Sequence, residues 1–263
     1  MSSRKSSIII ILVFTAIILL AGIFYWLAKE PFKEIIYSNQ PAVNQPSKLP
    51  ESENNIQATS TPIVIKGEIS RGNQNKKQII FTFDMGAGIS SAQKILETAK
   101  NHNLKLTFFS TGQFAQKNPD LIRQIAAWGH EIFNHTYSHP HLPQLTDEQI
   151  KEELDRAEET ISALTGTTTK PFFRPPYGDR TAHVLEIAKQ NGYQSVYWTT
   201  DALDWEKGKT ADEVKQRIYS NLKNGAIILM HVGDDITGSI LDEIFTYLEN
   251  QGYKIVSLAD GIK

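Results

Sequence analysis

The chain has 263 residues, no cysteine and a formal net charge of -2 at pH 7. It lacks the strongly basic field of nucleic-acid-binding proteins, so we expect no nucleic-acid partner. Without cysteine there can be no disulfide, thiolate nucleophile or cysteine-based zinc site, so any metal ion must be held by His, Asp or Glu.

The first element is the uncharged, apolar stretch 8–28, which is long enough to cross the hydrocarbon core of a membrane. Arg4 and Lys5 precede it, whereas the charges that follow it roughly cancel. The positive-inside rule then places residues 1–7 in the cytoplasm and the rest of the chain outside it. The sequence therefore predicts a single-pass signal anchor in the cell membrane. A cleaved signal peptide is the alternative, but the apolar run is long for one and no clear cleavage site follows.

Residues 29–62 contain five prolines scattered among polar residues, which is typical of a flexible linker. Residues 63–263 remain, about the size at which a single domain buries a full core. We expect this domain to be monomeric and to lie outside the cytoplasm.

Apolar strands alternate with amphipathic helices through this domain, which favours a largely parallel sheet. Capping boxes at Thr146 with Gln149 and at Thr210 with Glu213 open two of the helices, and Asn118-Pro119 opens another. The strand candidates are Gln78–Phe83, Lys105–Phe109, Glu131–Phe133, Pro171–Phe173, Gln194–Thr199, Ala226–Met230 and Tyr253–Ser257. We predict an α/β fold, a distorted (β/α) barrel of about seven parallel strands. An open doubly wound sheet would show the same alternation.

Polar side chains follow five of the predicted strands. They are Asp84, the pair His135 and His139, Arg174, Asp204 and His231. In a parallel barrel the carboxyl ends of all strands meet at one face, where active sites lie. The sequence therefore predicts that these side chains share one site.

His135 and His139 lie four residues apart, in a segment that Pro140 makes unsuitable for a helix. Neutral imidazole is the commonest protein ligand for zinc and similar ions, so a loop holding His135 and His139 is a candidate metal site. A surface loop that is merely rich in histidine is the alternative for this segment taken alone.

Because side chains alternate between the two faces of a strand, the sequence also predicts the directions of two side chains. Asp84 shares a face with Thr82, and His231 shares a face with Leu229. If both faces line the barrel, Asp84 and His231 point into the same mouth and Leu229 lies one layer below. A carboxylate and a histidine facing a metal-activated water are a suitable base and acid.

Five ordered segments resemble the motifs of the NodB-homology polysaccharide deacetylases, carbohydrate esterase family 4. They are Thr82-Phe83-Asp84, His135-Thr136-Tyr137-Ser138-His139, Arg174-Pro175-Pro176-Tyr177-Gly178, Asp204-Trp205 and Leu229-Met230-His231. The resemblance covers about residues 76–258. It implies a distorted (β/α) barrel that removes acetyl groups, usually from N-acetylhexosamines in glycans.

The resemblance implies that Asp84 is the general base, oriented by Arg174, and that His135 and His139 are metal ligands. The ion would be divalent, with zinc expected and cobalt, nickel or manganese as alternatives.

The resemblance also implies that His231 is the general acid and that Asp204 is its carboxylate partner. The backbone N–H of Tyr177 would stabilise the oxyanion, while Trp205 and Leu229 would form the walls of the acetyl pocket.

Met85 departs from the family pattern, which has a second aspartate there as the third metal ligand. A neutral thioether is a poor substitute, so we expect Met85 to turn away and pack among the helices. Three arrangements remain open. The ion is held by two histidines and water, Asp84 enters its ligand shell, or a group such as His141 or Asp179 completes the shell.

We expect a metal-dependent hydrolase that removes N-acetyl groups from an extracellular glycan, of which peptidoglycan is the leading candidate. One alternative is an O-acetyl esterase with the same machinery. Another is a glycan-binding surface protein that lost catalysis through Met85.

Overall fold

The computed structural model describes residues 67–263. The predicted cytoplasmic segment 1–7, the anchor 8–28, the linker 29–62 and the first four residues of the predicted domain lie outside this range. Within residues 67–263, no helix is both long enough and apolar enough to cross a membrane.

Eight strands form one sheet, and all of the paired strands run parallel. They are β1 (Gln78–Met85), β2 (Thr107–Ser110), β3 (Glu131–Asn134), β4 (Phe172–Phe173), β5 (Gln194–Ser195), β6 (Thr200–Asp201), β7 (Ala226–His231) and β8 (Lys254–Val256). The order is β5-β4-β3-β2-β1-β7-β6, with β8 beside the start of β1. β5 and β6 lie at opposite ends of this order, and no pairing joins them within residues 67–263. The sheet is therefore an incomplete, curled barrel.

Of the predicted strand Gln194–Thr199, only Gln194–Ser195 forms a strand, β5. A further short strand, β6, begins just after it at Thr200, which gives eight strands where about seven were expected. The chain first pairs with β4, and the N–H of Val196 donates to the carbonyl of Phe173. It then pairs with Ile69, and by Thr199 it donates to Ile227 in β7. The segment thus crosses from one edge of the open barrel to the other, a change of partner that strand periodicity does not reveal.

The helices surround the sheet. They are α1 (Ala92–Asn101), α2 (Gly112–Lys117), α3 (Pro119–Ala127), α4 (Asp147–Thr165), α5 (Ala182–Gln190), α6 (Ala211–Ser220), α7 (Asp235–Asn250) and α8 (Leu258–Gly261). The structure confirms both predicted capping boxes, at the starts of α4 and α6. It also confirms that Pro119 opens α3.

β1 is buried on both faces, and its alternation separates two apolar layers. Ile79, Phe81, Phe83 and Met85 belong to the core between sheet and helices. Ile80 belongs to the second core, inside the barrel. Thr82 and Asp84 share the face of Ile80, because side chains alternate along a strand. Thr82 and Asp84 therefore point into the barrel, as predicted.

His130, just before β3, gives a prediction about folding stability. Its Nδ1 accepts a hydrogen bond from the N–H of Leu106 at 3.1 Å. Burial, helped by the nearby charge of Lys105, lowers its pKa to about 4. In the unfolded chain the pKa is about 6.5, so the unfolded state binds more protons between these values and the free energy of unfolding falls as pH drops through that window.

His130→Asn removes the titration and retains an acceptor near the position of Nδ1. We expect its free energy of unfolding, measured by urea denaturation, to decline less than that of the wild type between pH 6.5 and 4. Parallel declines in the two proteins would show that His130 does not have this lowered pKa.

Candidate active site

A cleft of about 600 Å³ opens at the carboxyl ends of the strands. Seven of the nine residues singled out from the sequence line it: Asp84, His135, His139, Tyr177, Trp205, Leu229 and His231. The other two, Arg174 and Asp204, are buried and bonded directly to cleft residues. A larger cleft of about 930 Å³ lies beside α5 and contains none of the nine. The structure thus brings the whole predicted set together.

Arg174 holds Asp84 in a fixed orientation. Its Nη1 donates to Asp84 Oδ1 at 2.6 Å, and its Nη2 donates to Thr82 Oγ1 at 3.0 Å. Arg174 is fully buried, and its Nε donates to the carbonyl of Val196. Burial alone would raise the pKa of Asp84, but the charges of Arg174 and neighbouring groups outweigh it and lower that pKa. Asp84 is therefore a carboxylate with one oxygen bound to Arg174.

The second oxygen of Asp84 faces the histidine pair. His135 Nε2 lies 3.4 Å from Asp84 Oδ2 and 3.2 Å from His139 Nε2. His135 Nδ1 donates to the carbonyl of Arg174 at 2.8 Å, which leaves the lone pair on Nε2. Burial lowers the pKa of both imidazoles, that of His139 to about 4, so both are neutral.

This donor set fits a metal ion. Ligand atoms about 2.0–2.1 Å from a tetrahedral zinc lie roughly 3.3 Å apart, close to the two observed separations. His135 and His139 offer neutral nitrogens, and Asp84 offers the adjacent anionic oxygen. The free oxygen of Asp84 lies beside His135 Nε2 and so faces the position of an ion held by the two histidines, as the predicted general base requires.

The other groups considered for the shell are engaged with each other. His141 Nδ1 lies 2.9 Å from Asp179 Oδ2, and both side chains are partly exposed. The His141 ring stacks on the ring of Tyr177, with centroids 4.2 Å apart. This pair forms part of the rim beside Tyr177.

A second group of possible metal ligands comprises Asp204, His231 and Asp234. The carboxylate of Asp204, however, already accepts three hydrogen bonds. It accepts the N–H of His231 at 2.7 Å, the ring Nδ1–H of His231 at 2.9 Å and a short hydrogen bond from the hydroxyl of Thr237. An ion there would displace these bonds, so the histidine pair is the better metal site.

Asp204 also sets the protonation of His231. Burial lowers the pKa of His231, but the hydrogen bond and charge of Asp204 more than offset this and raise it. His231 is paired directly with Asp84 across β1 and β7. The cleft therefore places an imidazole with a raised pKa beside the β1 carboxylate.

Three further residues shape the cleft. Leu229 is buried at its floor, whereas Tyr177 and Trp205 are exposed. Tyr177 adopts a left-handed backbone conformation with φ of 58°. The indole N–H of Trp205 donates to Asp201 Oδ1 at 3.3 Å.

Sequence reasoning assigned no role to several residues that support or line the site, three of which make or offer polar contacts there. Thr82 accepts from Arg174, Thr237 donates to Asp204, and Asp234 lines the cleft. Thr82 shares the inward face of Asp84, a usable signal. Thr237 lies in α7, far in sequence from Asp204, and no local pattern links the two.

Met85 lies outside the cleft. It is fully buried in the apolar core between sheet and helices, as predicted, on the face of β1 opposite to Asp84. We therefore expect Met85→Leu, which nearly conserves volume, to leave metal affinity within about twofold of the wild type and to change stability by less than about 1.5 kcal/mol. Isothermal titration with Zn²⁺ and thermal melts measure both. A large loss of zinc affinity would instead identify the thioether as a ligand.

Comparison with known proteins agrees with this architecture. A sequence model of the family described as polysaccharide deacetylase matches residues 71–196. Peptidoglycan-N-acetylglucosamine deacetylase of Bacillus cereus is 37% identical over 191 residues, which are 71% of this chain and 69% of that protein. Peptidoglycan-N-acetylmuramic acid deacetylase PdaA of Bacillus subtilis is 36% identical over 193 residues, 72% of this chain and 73% of that protein.

A solved structure adds a contrasting relative. The structure of a CE4 family pseudoenzyme from Bacillus anthracis matches with a TM-score of 0.72 and 31% identity, covering 76% of this chain and 70% of that chain. The fold is thus shared by relatives named as deacetylases and by a relative named as a pseudoenzyme.

Proposed function

Because this chain belongs to the polysaccharide deacetylase family, a family of hydrolases, we propose that it removes N-acetyl groups from a peptidoglycan-type glycan. The observation that carries the proposal is that one cleft contains both an oriented carboxylate and an oriented imidazole. Asp84, held by Arg174, faces two neutral histidines, and His231, held by Asp204, lies beside them. The named substrates of the relatives point to N-acetylglucosamine or N-acetylmuramic acid units.

His135 and His139 would hold a divalent ion, and zinc suits their imidazole nitrogens well, although cobalt, nickel and manganese accept similar donors. When bound, such an ion supplies Lewis-acid polarisation of the acetyl carbonyl. Asp84 lies within reach of the same position and accepts the proton of the attacking water. Arg174 keeps its carboxylate aimed at that point.

His231 supplies the proton that the leaving amine needs. As water oxygen adds to the acetyl carbon and the carbon–nitrogen bond breaks, the amine takes the proton of the imidazolium and acetate is released. The raised pKa of His231 favours the protonated form that this step requires. An amide has a poor leaving group, so a cationic acid favours N-acetyl over O-acetyl substrates.

The remaining roles concern the acetyl group. Leu229 and Trp205 would contact its methyl, and the backbone N–H of Tyr177 would donate to the oxyanion. We also propose that residues 8–28 anchor the chain in the cell membrane, with a monomeric catalytic domain outside the cytoplasm. The apolar run and the positive residues before it support this location.

A second candidate function is glycan binding without catalysis. Met85 supports it, because the residue lies in the core and offers no ligand, and one structural neighbour is named as a pseudoenzyme. The intact Asp84–Arg174 and His231–Asp204 pairs favour the enzyme.

A substrate panel separates these functions. Purified protein supplied with Zn²⁺ is assayed for acetate release from peptidoglycan, a chitooligosaccharide and an aryl acetate. We expect release from the N-acetylated glycans. Turnover of the aryl acetate alone would point to an esterase, and glycan binding without any acetate release would point to the binding protein.

A further inference from the structure

The loop that joins the two histidines, residues 135–139, has an unfavourable backbone conformation. Thr136 and His139 both have φ of 64°, in the left-handed region that non-glycine residues avoid. Such residues are strained, so the loop keeps this shape only if its surroundings hold it. The separation of 3.2 Å between the two Nε2 atoms depends on that shape.

Every backbone N–H of this loop is hydrogen-bonded. His135 donates to the carbonyl of Ser110 at 3.0 Å, Thr136 donates to Asn134 Oδ1 at 2.8 Å, and His139 donates to Thr136 Oγ1 at 3.2 Å. The two central N–H groups, of Tyr137 and Ser138, both donate to Glu153. The middle of the loop thus depends on one side chain from another element.

Glu153 belongs to α4 and is half-buried. Its Oε2 accepts the N–H of Tyr137 at 2.9 Å and that of Ser138 at 2.7 Å, while its Oε1 accepts the hydroxyl of Ser138 at 2.7 Å. Hydrogen bonds to a carboxylate are roughly twice as strong as neutral ones. Three of them fix the peptide segment between the two histidines to a long helix.

The start of α2 holds the loop from the other side. The N–H of Gly112 donates to the carbonyl of Thr136, and the N–H of Gln113 donates to the carbonyl of Tyr137, both at 3.0 Å. These bonds engage carbonyl groups only. Without Glu153, the N–H groups of Tyr137 and Ser138 lose their acceptor, and the segment between the two left-handed residues loses three hydrogen bonds.

We infer that Glu153 is a positioning residue of the metal site, which sets the separation and direction of the His135 and His139 nitrogens. The inference rests on the proposed function only in taking these two histidines as the metal ligands. Groups that orient metal ligands contribute about 10- to 100-fold to metal affinity. Glu153 acts through the loop and contacts neither histidine ring in the described structure.

The test is a Co²⁺ titration of the metal-free full chain, followed by the visible absorbance of the bound ion. We expect Glu153→Ala to bind Co²⁺ about 10- to 100-fold more weakly than the wild type, with a changed absorbance spectrum. Glu153→Gln retains one acceptor oxygen, so its Co²⁺ affinity should lie between those of Glu153→Ala and the wild type. Glu159→Gln is the matched control, because it makes the same charge change at an exposed position of α4 and should bind like the wild type.

A Glu153→Ala affinity within about twofold of the wild type would overturn the inference. If Glu153→Ala does not fold, the Co²⁺ affinity of Glu153→Gln is measured instead, and a value within about twofold of the wild type would again overturn the inference. Weakened Co²⁺ binding in a protein that releases no acetate would uphold the inference and defeat the proposed function. A wild type that binds no Co²⁺ would defeat both.

Discussion

Asp84→Asn should reduce acetate release by about 10²–10⁴-fold, the range by which a positioned general base accelerates a reaction. The amide is nearly isosteric with the carboxylate but cannot accept the proton of the attacking water. It also removes the anion beside the histidine pair, 3.4 Å from His135 Nε2. Initial rates on a chitooligosaccharide measure the loss. The control is Asp120→Asn, at a side chain that is 98% exposed, and its rate should match the wild type.

The same substitution should destabilise the fold, which must be separated from the loss of chemistry. Arg174 is fully buried, and removing one partner of a buried ion pair costs about 3–5 kcal/mol because the remaining charge is uncompensated. A double-mutant cycle with Arg174→Met makes the separation. The double variant should be more stable than Asp84→Asn alone and remain inactive. Substantial activity in either Asp84 variant would exclude Asp84 as the base.

Asp204→Asn should have the second large effect, a fall in rate of about 10²-fold or more at pH 7 together with a change in pH dependence. Burial lowers the pKa of His231, and the hydrogen bond and charge of Asp204 reverse this. Without the carboxylate, the pKa of His231 falls and the imidazolium is lost at lower pH. Since the acid must be protonated, the alkaline decline of kcat should move to lower pH.

A kcat–pH profile between pH 5 and 10 tests this shift directly. Asp235→Asn removes a nearby but exposed carboxylate and serves as the control, with an alkaline decline that coincides with the wild type. If the alkaline decline of kcat in Asp204→Asn occurs at the same pH as in the wild type, then His231 is not the acid whose deprotonation causes that decline.

The parts of the fold that could be predicted depend on local rules. The capping boxes at Thr146 and Thr210 are formed as predicted, because their donors and acceptors lie three residues apart. Alternation along β1 separated Asp84 from Met85 correctly, because adjacent side chains of a strand point to opposite faces.

The parts that escaped prediction depend on the tertiary arrangement. Between Val196 and Thr199 the chain changes its hydrogen-bond partners from β4 to Ile69 and then to β7, so the predicted strand ends at Ser195 and β6 begins at Thr200. Glu153 in α4 contacts Tyr137 and Ser138, which lie 16 and 15 residues earlier in the chain. Neither helix nor strand periodicity predicts such a contact. Motif order could identify the groups at the site and their partners Arg174 and Asp204, but not supporting side chains outside the motifs, such as Thr237.

The central claim is that the histidine pair holds an ion needed for acetate release. The most direct measurement is acetate release from an N-acetylated glycan by protein first stripped with a chelator and then titrated with Zn²⁺, compared between the wild type and His135→Ala. We predict that the wild type regains activity at one equivalent of Zn²⁺ and that His135→Ala remains inactive throughout. Equal acetate release by the two proteins, or full wild-type activity in the stripped state, would contradict the account.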